Sequence, residues 1–575
     1  MTTARTGGRI LVDALQTHGA DIVFGVPGES YLAVLDALHD SPIRFITNRQ
    51  EGGAAFMADA YGKMTGRPGI CFVTRGPGAT NAAIGVHTAF QDSSPMILFI
   101  GQVGNDFVER EAFQEIDYRR MYGPMSKWVA QIDRAERIPE YVARAFQTAT
   151  SGRPGPVVLA LPEDMLTSVA TVADARAYRP VQAAPSAIQM AQLRDILSAA
   201  QRPLVMLGGG GWNTKACDAI RYFAEANRLP VACTFRFQDL FDNRHPHYVG
   251  DVGIGINPVL AQRIRAADLI LAIGPRLGEM TTGGYTLIEA PRPRQRLIHV
   301  HADAEELGRV YQADLMINSG MPQIAALLAD MRPVDPSARQ ELVVEARADF
   351  EAWQAEPPVF RESTAKLNLW RVVQTLKTAL PPDTILTNGA GNFATWAHRF
   401  WLYGDKRSGL RTQLAPTSGV MGYGVPAAVA AKIIENHLGR QRTVLNFAGD
   451  GDFLMTGQEI ATAVQYSAAV LFVVFNNGMY GTIRMHQERT YPARVSGTQL
   501  HNPDFAALAQ AYGAHGEAVE ATDTFPGALQ RALSHISATG LPALIELRYD
   551  GNLITPNATL ESIRQSAQRI FRQTD

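Results

Sequence analysis

Cysteine is scarce in this sequence. Three residues, Cys71, Cys217 and Cys233, stand in 575. An odd number cannot pair completely, and each lies in or beside an apolar stretch. That pattern excludes a disulfide framework and a zinc site, and reads as reduced core thiols of a cytoplasmic protein. Long hydrophobic runs are also missing. The apolar runs are four to eight residues long, whereas a bilayer needs about 20. Residues Met1 to Ala20 place Arg5, Arg9 and Asp13 in an amphipathic pattern, without the apolar core of a secretion signal. An excess of charge of one sign is absent too. Lys plus Arg number 53 against 55 Asp plus Glu, so no nucleic acid or anionic membrane is implied as a partner. Gly-Lys-Ser/Thr does not occur, which excludes a nucleotide P-loop. There is no short-period repeat and no low-complexity tract.

What is present is apolar material in quantity. Hydrophobic residues make up 46% of the chain, enough for three or four domains of about 150 residues each. Short apolar strands alternate with helical patterns, which predicts parallel, doubly wound sheets. Expected strands of a first block are 22–25, 44–48, 69–74, 95–101 and 156–161. A second block has 203–207, 229–234, 268–274 and 296–302. A third has 384–388, 444–448, 470–475 and 542–548. Residues 171–190, rich in Ala and Pro, read as a linker, and a charged helical segment over 333–366 joins the second and third blocks. The expectation is three α/β domains, at 1–172, 188–335 and 362–555, the first and third echoing each other.

The most informative stretch is Val444 to Asn477. An apolar strand stops at Gly449-Asp450-Gly451-Asp452, an amphipathic helix follows with Ile460, Ala463 and Val464 on one face, and a second apolar strand ends in Asn476-Asn477. Ligands of open parallel sheets bind at the carboxyl ends of strands. A hard divalent cation takes oxygen ligands and commonly bridges to phosphate. Asp450 offers a carboxylate and Asn477, 27 positions on, an amide oxygen. Gly449 and Gly451 let the backbone approach a diphosphate. Elsewhere, Glu51 follows a strand and opens a helix of small residues, where a carboxylate would be partly buried. Gly389-Ala390-Gly391-Asn392-Phe393-Ala394 also follows a strand. It looks like a dinucleotide turn but lacks the supporting acid after the next strand, Leu410 to Leu414.

Gly-Asp-Gly ending in Asn-Asn resembles the cofactor motif of thiamine-diphosphate enzymes. The resemblance implies magnesium held by Asp450, Asn477 and the Met479 carbonyl, with Asp452 and Tyr480 beside the cofactor. It makes Gly389, Gly391 and Asn392 a diphosphate-binding turn. It gives Glu51 the aminopyrimidine nitrogen, where it promotes the tautomer that activates the cofactor. In Thr417-Ser418-Gly419-Val420-Met421-Gly422, the Gly419 carbonyl and Met421 N–H would grip the aminopyrimidine, with the Met421 side chain under the bend of the cofactor. The three domains then become pyrimidine-binding, central and diphosphate-binding. The family's sites lie between subunits, which implies a homodimer or a dimer of dimers.

Over almost its whole length the chain is similar to the acetohydroxyacid synthase (acetolactate synthase) group. Gly76-Pro77-Gly78-Ala79-Thr80-Asn81, Ala112-Phe113-Gln114-Glu115, Ser151-Gly152-Arg153-Pro154-Gly155-Pro156 and Asn502-Pro503-Asp504-Phe505 carry the likeness. The resemblance implies a carboligase or decarboxylase acting on 2-oxo acids, with aldehydes or a second keto acid as acceptor. Gln114 and His486 are further candidates for catalysis. Four positions depart from the synthases. Met280 replaces an arginine that holds the acceptor carboxylate, and His486 replaces an acceptor-sizing tryptophan. The turn at 389–395 differs, and Glu29 replaces a glycine. Glu29 reads equally as a proton relay or as an acid at a helix start. A lyase acting on 2-hydroxy ketones or 2-hydroxyacyl-CoA, and a noncatalytic nucleotide-binding relative, are the alternatives. Gly208 to Gly211, Arg276 and Ile298 to Asp303 resemble the central architecture that binds FAD in the synthases, and whether FAD binds here is left open.

Overall fold

The computed structural model describes residues 3–334, 339–360, 365–405 and 411–574. It contains three six-stranded sheets, each parallel throughout. In spatial order the first is Arg44–Thr47, Ile22–Gly25, Gly69–Val73, Met96–Gln102, Pro156–Pro162 and Trp128–Gln131. The second is Tyr248–Val252, Val231–Thr234, Pro203–Leu207, Leu269–Ile273, Arg296–His301 and Leu315–Asn318. The third is Gln413–Leu414, Ile385–Asn388, Val444–Gly449, Val470–Asn476, Ala543–Arg548 and His515–Val519. Counting strands from each sheet's own start, the first and third share the order 2-1-3-4-6-5. The second runs 3-2-1-4-5-6, the order of dinucleotide-binding sheets.

The inner strands are apolar and buried along their length, as in Gly69–Val73 and Leu269–Ile273. Helices on both faces of a parallel sheet leave no solvated side, so these runs do not alternate with polar residues. Besides the short antiparallel pair Arg5–Thr6 and Val169–Ala170, four strands of the large sheets were not anticipated from the sequence: Trp128–Gln131, Tyr248–Val252, Leu315–Asn318 and His515–Val519. All four are sheet edges.

Three other expectations change. The linker is shorter than 171–190, because Ser186 and Gln189 form a capping box and a helix begins at Ala187. Among its described residues the joining segment holds one α-helix, Gln340–Trp353, and a 3-10 turn at Pro358–Phe360. The boundaries expected at 335 and 362 lie outside the described residues. Finally, the amphipathic helix after Asp450 is two pieces, Asp450–Phe453 and Ile460–Gln465, joined through a 3-10 turn at Gly457–Glu459.

The first and third domains pack through small-residue helices. Helix Glu51–Thr65 buries Gly52, Gly53, Ala54, Ala55, Ala58 and Ala60. It shares one core with Ala427, Ala428, Ala430 and Ala431 of helix Gly424–His437. Inside the first domain a Cβ on Gly85 of helix Pro77–Asp92 would stand 2.3 Å from the Ala55 Cβ, so the packing of that helix on Glu51–Thr65 depends on missing side-chain volume.

Candidate active site

The switch point of the third sheet lies between Ile385–Asn388 and Val444–Gly449, where neighbouring strands send their connections to opposite faces. A crevice must open there at the carboxyl ends, and a cavity of about 210 Å³ does. Its wall includes Gly391, Asn392, Gly419, Met421, Gly449, Asp450, Gly451, Asp452, Asn477, Met479 and Tyr480. The structure therefore brings together nearly every residue expected to meet a diphosphate and a pyrimidine ring. Gly389 stands just behind. A Cβ there would come within 2.0 Å of the Asp452 carboxylate, so only glycine admits the acid so close.

Asp450 is 3% exposed. Its Oδ1 accepts from the Gly451 N–H at 2.9 Å, and Oδ2 from the Gly478 N–H and Asn502 Nδ2, each at 2.8 Å. These donors are neutral amides, and burial raises the affinity of this carboxyl for protons above the usual carboxylate range. A carboxylate held this way gains most from a cation. Among the described residues no group of three His, Cys, Asp or Glu could hold a metal. A divalent ion here would draw on one carboxylate, the Asn477 amide, the Met479 carbonyl and oxygens of its ligand. That donor set suits magnesium bound to a diphosphate.

Asp452 ties the turns together. Its Oδ1 accepts from the Gly422 N–H at 2.8 Å and the Ala390 N–H at 3.2 Å. Burial pushes its carboxyl up to about 7. Asn392 is fixed in turn by Thr482. The Asn392 N–H reaches Thr482 Oγ1, and that hydroxyl reaches Asn392 Oδ1, both at 3.0 Å. Gly419 takes φ +67°, and nothing lies within 4 Å of where its Cβ would be. The space above this segment is free for a ring. Asn502, Thr482 and Tyr549, which also border the site, were not anticipated as site residues. Asn502 opens Asn502-Pro503-Asp504-Phe505, which carries the family likeness without marking a site residue, and Thr482 and Tyr549 give no local signal.

The other candidates stand elsewhere. Glu51 does not line this cavity. It opens helix Glu51–Thr65 at the edge of the first sheet, and its Oε2 accepts from Asn81 Nδ2 at 2.9 Å. The turn before it is held by the third domain of the same chain. Buried Glu459 accepts from the N–H groups of Arg49 at 3.0 Å and Gln50 at 3.1 Å. Glu29 lines a second cavity of about 370 Å³ with Glu163 and Asp164. Buried Arg75 joins Glu29 and Glu163 at 3.2 Å each, and donates to the Phe113 carbonyl beside Gln114. Gln114 takes φ +66° and packs over Gly76. His486 is exposed on helix Gly481–Thr490, one turn beyond Ile483 of the first cavity's wall.

In the second domain the crevice at the switch point, about 300 Å³, is lined by Gln91, Thr234, Arg276, Met280 and Thr417 among others. Arg276 reaches Gln91 Oε1 at 3.3 Å and Glu306 at 3.4 Å.

Comparison with known families settles the affiliation. Residues 5–121 match the N-terminal thiamine pyrophosphate binding domain, 190–328 the central domain and 389–547 the C-terminal binding domain of thiamine pyrophosphate enzymes. The chain belongs to the thiamine pyrophosphate enzyme family. It is 31% identical to a probable acetolactate synthase large subunit of Methanocaldococcus jannaschii, over 97% of this chain and 95% of that protein. It is 32% identical to the acetolactate synthase large subunit of Corynebacterium glutamicum, over 92% of this chain and 84% of that one. It is 30% identical to the isozyme 2 large subunit of Escherichia coli, over 92% and 93%. The expected affiliation and the three-domain α/β fold both stand, and this is a thiamine-diphosphate-dependent, acetolactate synthase-like enzyme. Among the described residues no helix is long and apolar enough to cross a membrane.

Proposed function

We propose that this enzyme is a carboligase that takes a 2-oxo acid such as pyruvate as donor and joins the decarboxylated fragment to an aldehyde or similar small carbonyl acceptor. The observation that carries the reading is the cavity that joins Asp450, Asn477 and Met479 to Gly419 and Met421. Bound thiamine diphosphate supplies a nucleophilic carbon and an electron sink for chemistry beside a carbonyl. The chain's own residues do the rest. Asp450, Asn477 and the Met479 carbonyl would hold magnesium. Gly389, Gly391 and Asn392 would hold the diphosphate. Glu51 would exchange a proton with the pyrimidine nitrogen. Glu29, Gln114 and His486 would meet the substrate.

Glu51 and the cavity belong to different domains and do not meet within one chain, which supports a homodimer or dimer of dimers. Exposed apolar side chains flank both halves. Ile84 and Phe113, 42% and 72% exposed, stand near Glu51 and Gln114, and Leu454, Met455 and Ile483 stand near the cavity. A second copy would cover them. The central crevice has in Arg276 a cation for a nucleotide phosphate, and FAD would bind there without entering the steps above. The free thiols, buried at Cys71 and Cys233 and half-buried at Cys217, fit a cytoplasmic location.

Choice of acceptor follows from Met280. A second keto acid needs a cation for its carboxylate, and methionine offers no such bond. The missing charged hydrogen bond is worth roughly 1.5–3 kcal/mol, a penalty of about ten- to hundredfold on pyruvate as acceptor. Product analysis with pyruvate alone, then with pyruvate plus an aldehyde, should give little acetolactate and more of the mixed product. Rapid acetolactate formation, unchanged by Met280→Ala, would show that another cation does the work.

A further inference from the structure

The segment Thr417 to Tyr423 is clamped at both ends by side chains from the first domain. At one end Asp92, the last residue of helix Pro77–Asp92 and 2% exposed, accepts from the Thr417 N–H at 2.6 Å and from the Thr417 hydroxyl through the same Oδ1. Its Oδ2 pairs with Lys63. At the other end Tyr423 donates its hydroxyl proton to Asp59 at 2.8 Å. Lys63, 3.0 Å from the Tyr423 oxygen and 2.9 Å from Asp59, lies over the Tyr423 ring at 4.4 Å. Between the clamps the side of Gly419 is open and Met421 faces the cavity.

We propose that Asp92 is a positioning residue for the cofactor site. Through Thr417 it fixes the segment whose Gly419 carbonyl and Met421 N–H would meet the aminopyrimidine, and the proposal rests on that reading of the segment. The chemistry explains the choice of acid. One carboxylate oxygen serves two donors of the same residue while the other balances a lysine. Asparagine in its place could still accept from Thr417, but its amide N–H would face the Lys63 ammonium, donor against donor. The geometry also puts the two duties of the first domain on adjoining helices. Glu51 begins the helix that carries Asp59 and Lys63, and Asp92 ends the next.

The test is calorimetric titration of the metal- and cofactor-depleted full chain with thiamine diphosphate and magnesium. Thr417→Val keeps the shape of a half-buried side chain and removes one donor. It should weaken binding about three- to tenfold, the range of one lost hydrogen bond, with the melting temperature of the depleted protein nearly unchanged. Asp92→Asn should weaken binding at least as much. The double variant Asp92→Asn, Thr417→Val should weaken it by less than the product of the two, because both changes act on one contact. A merely structural acid would lower the melting temperature and give independent effects on binding. Wild-type affinity in both single variants, or effects that multiply, overturns the proposal. Met421→Ala distinguishes the underlying reading. If it binds as wild type and the Met421 amide exchanges with deuterium equally fast with and without cofactor, the segment does not hold the cofactor and the proposal falls with that reading. If Met421→Ala weakens binding and the Asp92 and Thr417 variants do not, only the positioning role is lost.

Discussion

Replacing Glu51 by glutamine separates binding of the cofactor from its activation. The change is nearly isosteric. The bond from Asn81 Nδ2 at 2.9 Å can persist to the amide oxygen of glutamine. The helix start is also secured independently, since Gln50 accepts from the Gly53 N–H at 3.0 Å and Glu459 holds the Arg49 and Gln50 N–H groups. Losing a negative charge at a helix N-terminus costs about 0.3–1 kcal/mol, so folding should survive. Binding should survive as well, because the cavity that would hold the diphosphate is built from the third domain without Glu51. What is lost is a group that can take and return a proton. General acid–base groups contribute about 10²–10⁴-fold, so the expected change is at least a hundredfold, or about 2.7 kcal/mol of barrier. The assay is exchange of the cofactor's C2 proton for deuterium, quenched in acid and read by NMR, with affinity measured in parallel. Exchange at the wild-type rate in a variant that binds cofactor would remove Glu51 from the mechanism. Lost binding with a normal exchange rate in the bound fraction would make Glu51 a binding residue instead.

Asp450→Ala should abolish cofactor retention after dialysis against a chelator, and full activity under those conditions would refute its role. Mixing this variant with Glu51→Gln should restore part of the activity in hybrid dimers that keep one intact site, whereas a fully active monomer by light scattering would contradict shared sites. At the C-terminus, buried Glu488 accepts from Arg564 and Arg484. The Arg564 bonds, ahead of the other causes, hold its carboxyl down at about 2, against 4.5 ordinarily. The folded form therefore binds the proton less tightly than the unfolded one. This contact contributes fully above about pH 4.5 and is lost as pH falls toward 2. Acid melts followed by tryptophan emission should show this loss in wild type and not in Glu488→Gln, and parallel acid profiles would refute the clasp.

The inner strands could be read from sequence because burial on both faces writes them as unbroken apolar runs. Four of the six edges could not. Trp128–Gln131 and His515–Val519 are only partly buried, so polar residues interrupt their pattern, and their pairing comes from neighbours distant in the chain. The helix expected after Asp450 followed from the spacing of Ile460, Ala463 and Val464, but the chain turns at Gly457 and splits it. The cavity wall of the third domain was legible for a related reason. Its residues lie in contiguous turns at strand ends, where glycine, acid and amide stand together in the sequence. Asp92 and Glu459 carry no such local mark. Their partners, Thr417 and the Arg49–Gln50 turn, lie more than 300 residues away, and only packing brings them together.

That separation bears on how the enzyme is assembled. The first and third sheets share one strand order, and each exposes its carboxyl edge with half of the expected site. Within one chain the two are joined through helices Glu51–Thr65 and Gly424–His437, whose small residues share one buried core. A chain that serves its own cofactor with its own Glu51 would have to open this core, losing burial at about 25 cal/mol per Å² of apolar surface. In the proposed dimer, pairing the exposed Glu51 edge with the cavity of a second copy would cost no such opening and would cover Ile84, Phe113, Met455 and Ile483, all exposed in the single chain. The same interdomain core then has two functions in the proposed dimer. It aims Glu51 outward through the Glu459 contact, and it holds Thr417–Tyr423 in place through Asp92, Asp59 and Lys63. A substitution that loosens it, such as Ala428→Gly, would be felt at both sites at once.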